Sequence, residues 1–245
     1  GYVEKNGGQL VFTDEITFSS TNLINSGLKM LTEKQNEYLI YLKSKYVLND
    51  IKFWLDKLKG LNVMVVGDPI TDAYNYVEVK NIATKSPNIS TKHMNSKYME
   101  GGSNAIAKHV NNFVNLVYNA TPINIEIIKL RYLASNYRNI KLFETCVYPN
   151  EKQLEEARKE TLEYIKKNIN EVDLILITDF GHGIISREIV NECFKSKKFV
   201  AMNVQTNSAN FGFNYITKYK FFNFATLDEK ELRLPFSDST SSIDY

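Results

Sequence analysis

Five clusters of polar residues carry most of the chemistry open to this chain, and four of them trail a short apolar run. GDPITD (67–72) sets Asp68 and Asp72 just past a run that ends in glycine. A carboxylate there can accept hydrogen bonds from two hydroxyls and so fix an uncharged polyol. The plainer alternative is a turn aspartate that caps the next element. TDFGHG (178–183) repeats the arrangement with Asp179, two glycines and His182, an imidazole whose charge can switch near neutral pH. NVQTNSAN (203–210) offers Asn203, Gln205 and Asn207, amides that either bind something or cap loops. DEKE (228–231) brings Asp228 and Glu231 close enough to hold a hydrated Mg²⁺, or else forms an ordinary charged turn. The fifth cluster, GGSNAIAKHV (101–110), opens a helix on Gly101 and Gly102, where a ligand can approach the first N–H groups closely. It has neither the GxGxxG spacing of a dinucleotide fold nor the GK[ST] of a P-loop.

The elements that must position these residues alternate. NVMVVGD (62–68) is apolar on both faces and β-branched, as a strand buried on both sides of a parallel sheet requires. The pattern returns at 172–178 and 199–204, each run preceded by a helical stretch, 151–170 and 186–196. Alternating helix and strand predicts an α/β sandwich, and in such sheets ligands bind past the carboxyl ends of the strands. The clusters are therefore expected to line one cleft. IEIIKLRYL and IKLFETCVY, with the polar ASNYRN between them, read as a β hairpin over about 123–148. Residues 1–30 are polar and read as a linker. Residues 31–60 form a helical connector in which Ile51, Trp54, Leu55 and Leu58 recur at helical spacing after Asn49 and Asp50 as the N-cap. The closing SDSTSSIDY suits a frayed tail.

Bulk properties narrow the field. The 245 residues, 43% hydrophobic, can build a real core. No apolar run nears the roughly 20 residues a bilayer requires, so neither a membrane span nor a membrane partner is expected. A net charge of +2 gives no field that favours nucleic acid. Cys146 and Cys193 lack metal-ligand spacing and read as reduced thiols of a cytoplasmic protein.

Taken in order, residues 62–234 resemble the PfkB, or ribokinase-like, sugar kinases, especially the heptose-phosphate kinase branch often fused to a nucleotidyltransferase. VMVVGDPITDAYNYVEV is similar to that branch's first strand and turn, EIIKLRYLASNYRNIKLFE to its lid hairpin, and DLILITDFGHGIIS to its D-[FY]-x-x-G element. The resemblance implies a three-layer sandwich with a mostly parallel sheet and a small β lid. It implies that Asp72 binds sugar hydroxyls, that Gly101 and Gly102 line the sugar pocket, and that Lys129 and Arg131 meet a substrate phosphate. Asp228 and Glu231 match the family's N-x-x-E motif near Mg²⁺, with Asp in place of Asn. Asn104 stands closer to the glycine pair than the family's sugar-binding Asn. ATP and Mg²⁺ are the implied cofactors, a sugar or sugar phosphate the implied ligand, and lid pairing in a homodimer an implied assembly. GYVEKNGGQLVFTDE is similar to the end of a fused nucleotidyltransferase domain.

The G-A-G-D motif, which holds the transferring phosphoryl group and supplies the catalytic Asp, is not in the sequence. The expectation is thus an incomplete kinase domain over 61–245, carrying the sugar-binding half and inactive on its own. Two other readings compete with it: a non-catalytic sugar-nucleotide-binding or scaffold module attached to a nucleotidyltransferase, and an unrelated doubly wound nucleotide-binding protein. The β hairpin discriminates against the latter.

Overall fold

In this computed structural model residues 5–7, 31–83, 85–207 and 210–242 are described. The chain divides into two compact units, Gly1–Phe53 and Trp54–Tyr245. Apart from residues 5–7, the expected linker of 1–30 lies outside the described residues.

Helix α1 (Glu33–Lys45) starts at a reciprocal cap. Thr32 Oγ1 accepts the Gln35 N–H at 3.3 Å, and the Gln35 side chain accepts the Thr32 N–H at 2.8 Å. Helix α2 (Leu48–Leu58) starts ahead of the expected cap. Asn49 and Asp50 are already helical, and the Asp50 carboxylate reaches back to the Val47 N–H at 2.8 Å. Its stripe of Ile51, Trp54, Leu55 and Leu58 is exposed.

The second unit proceeds through β1 (Asn62–Gly67), β2 (Pro69–Ile82), β3 (Ile89–Gly101), α3 (Gly102–Val110), β4 (Leu116–Ala120), β5 (Ile128–Ala134) and β6 (Ile140–Val147). It continues with α4 (Glu151–Asn168), β7 (Leu174–Asp179), α5 (Arg187–Lys195), β8 (Phe199–Val204), β9 (Phe224–Thr226) and α6 (Glu229–Arg233). Five strands form a wholly parallel sheet in the order β4-β1-β7-β8-β9. Within it β1 lies between β4 and β7, and its Val63, Met64, Val65 and Val66 are at most 1% exposed, as the two-sided apolar pattern demands. Met64, Val66, Ile175, Ile177 and Val200 pack on one face against Ile165 of α4 and Ile189 of α5. Val63 and Val65 pack on the other against Ala107 of α3. Each such enclosed side chain stabilises by about 2 kcal/mol. Strands β1 and β7 approach so closely at Gly67 that a Cβ there would lie 2.1 Å from Thr178 Oγ1.

A second sheet has the order β3-β2-β5-β6. The expected hairpin is present as β5 and β6, although residues 123–127 stay outside it. The turn expected at GDPITD is corrected: the chain passes directly into the 14-residue β2, which pairs antiparallel with β3 and parallel with β5. Asp72 is therefore a strand residue, and the lid has four strands instead of two. The α/β class with a mostly parallel sheet and a β lid is as the sequence reads.

Candidate functional site

Because the large sheet is parallel throughout, the carboxyl ends of its strands share one edge, and the segments that follow gather there. Asp68, Asp179 and Asn203 stand on that edge, as predicted. The loops lace together. The Gln205 N–H donates to the Asp179 carbonyl at 2.8 Å. The side-chain amides of Asn207 and Asn210 both donate to the Phe180 carbonyl at 2.8 Å. Asn203 instead donates to the Thr226 carbonyl at 2.8 Å and so fastens β9 to β8.

The two buried aspartates tie these loops down. Asp68 is fully enclosed and accepts the N–H groups of Phe180 (3.0 Å), His182 (3.3 Å) and Ile184 (3.1 Å). Burial, and then the neighbouring Asp179 charge, push its carboxyl up to about 6 despite those donors. With its oxygens spent on the backbone, Asp68 holds the loop and does not face the cleft. Asp179, 2% exposed, accepts the Gly181 N–H at 2.8 Å and the Tyr219 hydroxyl, and pairs with Lys218 at 2.5 Å. Burial, and then the charge of Asp179, raise the Tyr219 phenol far above its ordinary value.

The second sheet carries a polar face. Asp72, Lys129 and Cys146 are register partners in one row, and Tyr74, Arg131 and Glu144 in the next. Partners and alternate residues share a face, so these side chains line one surface. Arg131 donates to Asp72 through Nη1 and forms an ion pair with Glu144 through Nε at 3.1 Å, with its guanidinium 5.3 Å from the Tyr74 ring centre. Each partner is about a quarter exposed, leaving polar edges open to a ligand.

The glycine pair joins the two sheets. A Cβ on Gly101 would lie 2.6 Å from Asp72 Oδ2, so only glycine leaves that carboxylate its room. Gly102 has φ +55° and would meet the Asp68 carbonyl at 2.3 Å. That carbonyl also accepts the Ser103 N–H at 3.0 Å.

His182, between Gly181 (φ +74°) and Gly183 (φ +100°), is 8% exposed. Burial, then the Lys129 charge, push its imidazole down to about 4. The Tyr148 ring, just past β6, is 5.5 Å from the His182 ring. Asp72, Gly101, Lys129 and Arg131 are thus brought together on the lid with Glu144, and Tyr148, just past β6, meets His182 of the sheet-edge loop; Glu144 and Tyr148 are residues the sequence reading missed. Their signal is there in hindsight, since Glu144, Cys146 and Tyr148 alternate along and just beyond one strand. Asn104 belongs elsewhere. Its side chain accepts from Asn119 at 2.9 Å and lines a separate cavity of about 480 Å³ with Thr71, Thr121, Glu160 and Tyr164.

The proposed metal pair serves as a helix cap. Asp228 accepts the Glu231 N–H at 2.7 Å, and Glu231 accepts the N–H groups of Asp228 at 2.9 Å and Thr206 at 3.1 Å. With both oxygens engaged and 7% exposure, Glu231 does not fit direct Mg²⁺ ligation, whereas the exposed Asp228 keeps an oxygen for a hydrated ion. Among the described residues no group of three or more His, Cys, Asp or Glu side chains could hold a metal. Asp228 borders a cavity of about 1040 Å³ lined also by Phe211, Tyr215, Lys230 and Arg233.

Both cysteines are free thiols. No helix among the described residues is long and apolar enough to cross a membrane.

No protein-family model and no curated protein sequence matches the chain. Among solved structures it is similar to phosphofructokinase-2 from Escherichia coli in complex with fructose-6-phosphate, at 9% identity and a TM-score of 0.47 over 76% of this chain and 67% of that one. It is also similar to a carbohydrate kinase from Agrobacterium tumefaciens, at 10% identity and a TM-score of 0.35 over 58% of this chain and 53% of that one. The chain thus spans about two thirds of the length of the former.

Proposed function

We propose that the cleft between the lid face and the carboxyl edge of the parallel sheet binds a sugar or sugar phosphate, as the substrate-binding half of an ATP-dependent carbohydrate kinase. The observation that carries the reading is the Asp72 carboxylate. It is held by Arg131, left open by the missing side chain of Gly101, and set among Lys129, Tyr148 and His182. A partly exposed carboxylate in a polar cleft accepts from two vicinal hydroxyls, while a lysine and an arginine beside it neutralise a phosphate at the end of the same ligand.

The reaction type rests on the sequence resemblance, which also points to heptose phosphates as the substrate class and to a fused nucleotidyltransferase in the parent protein. In this reading ATP occupies the cavity bordered by Phe211, Tyr215 and Asp228, with a hydrated Mg²⁺ at Asp228. Asn203, Gln205 and Asn207 then shape the loops beside the nucleotide, and the lid offers a surface for pairing two copies. Titration calorimetry with fructose-6-phosphate and heptose-7-phosphate tests the cleft. Binding by the wild type and a loss of about 30-fold in Asp72→Asn, equivalent to about 2 kcal/mol, are expected. Equal affinity in the two proteins would remove the reading.

A further inference from the structure

We infer that His182 Nε2 is a ligand-recognition atom of this cleft and takes one hydroxyl of the bound polyol, with Tyr148 beside it as an aromatic wall. The inference rests on the polyol-binding reading above and deepens it by naming the contact that sets which sugar is accepted.

The imidazole is 8% exposed, yet Nε2 has no hydrogen-bond partner. An enclosed polar atom left unpaired is costly, and native proteins leave few of them. The surroundings do not relieve it. The His182 backbone N–H is committed to Asp68 at 3.3 Å, and the two left-handed glycines on either side fix the loop that presents the ring. Asp68 anchors the same loop by accepting three alternate N–H groups, those of residues 180, 182 and 184.

The ligand chemistry follows from the imidazole's state. Burial and the Lys129 charge keep the ring neutral at physiological pH. A neutral imidazole presents either a donor or an acceptor at Nε2 according to tautomer, and a hydroxyl, being both, satisfies either one. An anionic oxygen satisfies only the donor form. The positive charges of the cleft are on the lid, at Lys129 and Arg131, so His182 is left to read an uncharged position of the ligand. The Tyr148 ring, 5.5 Å away and tilted by 32°, offers a flat surface to the C–H face of a sugar at the same place.

Calorimetric titration of the whole chain with D-fructose, D-mannose and D-mannoheptulose, and then with the monodeoxy analogues of whichever binds, tests the assignment. His182→Phe keeps the ring and removes both nitrogens; His182→Gln restores a polar atom at similar reach. The expected result is a fall in affinity of roughly 10-fold in His182→Phe and partial recovery in His182→Gln. One deoxy analogue should bind wild type and His182→Phe equally, because it lacks the hydroxyl that Nε2 takes. Should His182→Phe fold poorly, the wild type against His182→Gln with the same deoxy series gives the same discrimination. Unchanged affinity in His182→Phe alongside lost affinity in Asp72→Asn overturns this inference and leaves the cleft standing. No binding of any probe by the wild type overturns both.

Discussion

The two sheets of this molecule are built on opposite principles. The parallel sheet is held by enclosed aliphatic side chains on both faces, with Val65, Ile175, Ile177 and Val200 at 0% exposure. The lid strands are half-exposed, and their working face is a lattice of Asp72, Arg131 and Glu144 with Lys129 and Tyr74 around it. Dispersion and burial fix the first to within a methyl group. Charge pairs a quarter exposed fix the second only loosely, since such pairs contribute little to stability. Rigidity is thus placed where the loops are aimed, and adaptability on the face proposed to meet a ligand.

The contrast can be broken most directly at Asp68. Replacing it by alanine leaves three enclosed N–H groups without an acceptor and is expected to cost about 4 kcal/mol in urea denaturation. A loss below about 1 kcal/mol would mean that the loops at the sheet edge are no better anchored than the lid.

Next in size is an opposition between Asp68 and His182. Asp68 is raised to about 6 when folded, so its contribution is fully present below its ordinary carboxylate pKa near 3.9 and is lost as pH rises through 6. His182 is lowered to about 4, so its contribution is present above 6.5 and is lost as pH falls through 4. Each is worth about 3 kcal/mol over its full range, and between pH 4 and 6 the slopes cancel. Denaturation curves across that window should show His182→Phe gaining stability relative to the wild type on acidification and Asp68→Asn losing it. Parallel pH profiles in the three proteins would contradict the assignment of both shifts.

The smallest effect belongs to the lid. Tyr132 and Phe143 stack at 4.4 Å with an interplanar angle of 20°, across paired positions of β5 and β6. Tyr132→Ala should cost about 1 kcal/mol of stability by thermal unfolding. A loss as large as that from Asp68→Ala would erase the distinction between the sheets.

What could be read in advance divides along the same line. The strands of the parallel sheet show as apolar runs because each side chain is enclosed, and β8 begins and ends where its run does. Strands β2 and β3 escaped notice because their faces are polar and partly wet. KHMNSKYME carries lysines, a histidine and a glutamate along an edge strand that pairs on one side with β2, and it has no alternating apolar pattern to mark it as a strand. The cluster at Asp72, Lys129 and Arg131 was legible through the resemblance, and the parallel strand order confirms a shared edge for Asp68, Asp179 and Asn203. The division of labour between the two aspartates of GDPITD was not. Four positions apart in sequence, Asp68 and Asp72 differ because the first meets backbone donors more than 110 residues away, which no local pattern encodes. Glu231 is the same kind of case, its second oxygen engaged by Thr206 of a distant loop.

The parallel pairing of β2 with β5 has one further consequence. Between those strands the chain leaves the lid, forms α3 and β4 of the other sheet, and returns. The lid is consequently a discontinuous object, two separated stretches of polypeptide stitched through the body of the domain. It cannot be excised or transplanted as one contiguous piece, and any graft must carry the intervening helix and strand with it.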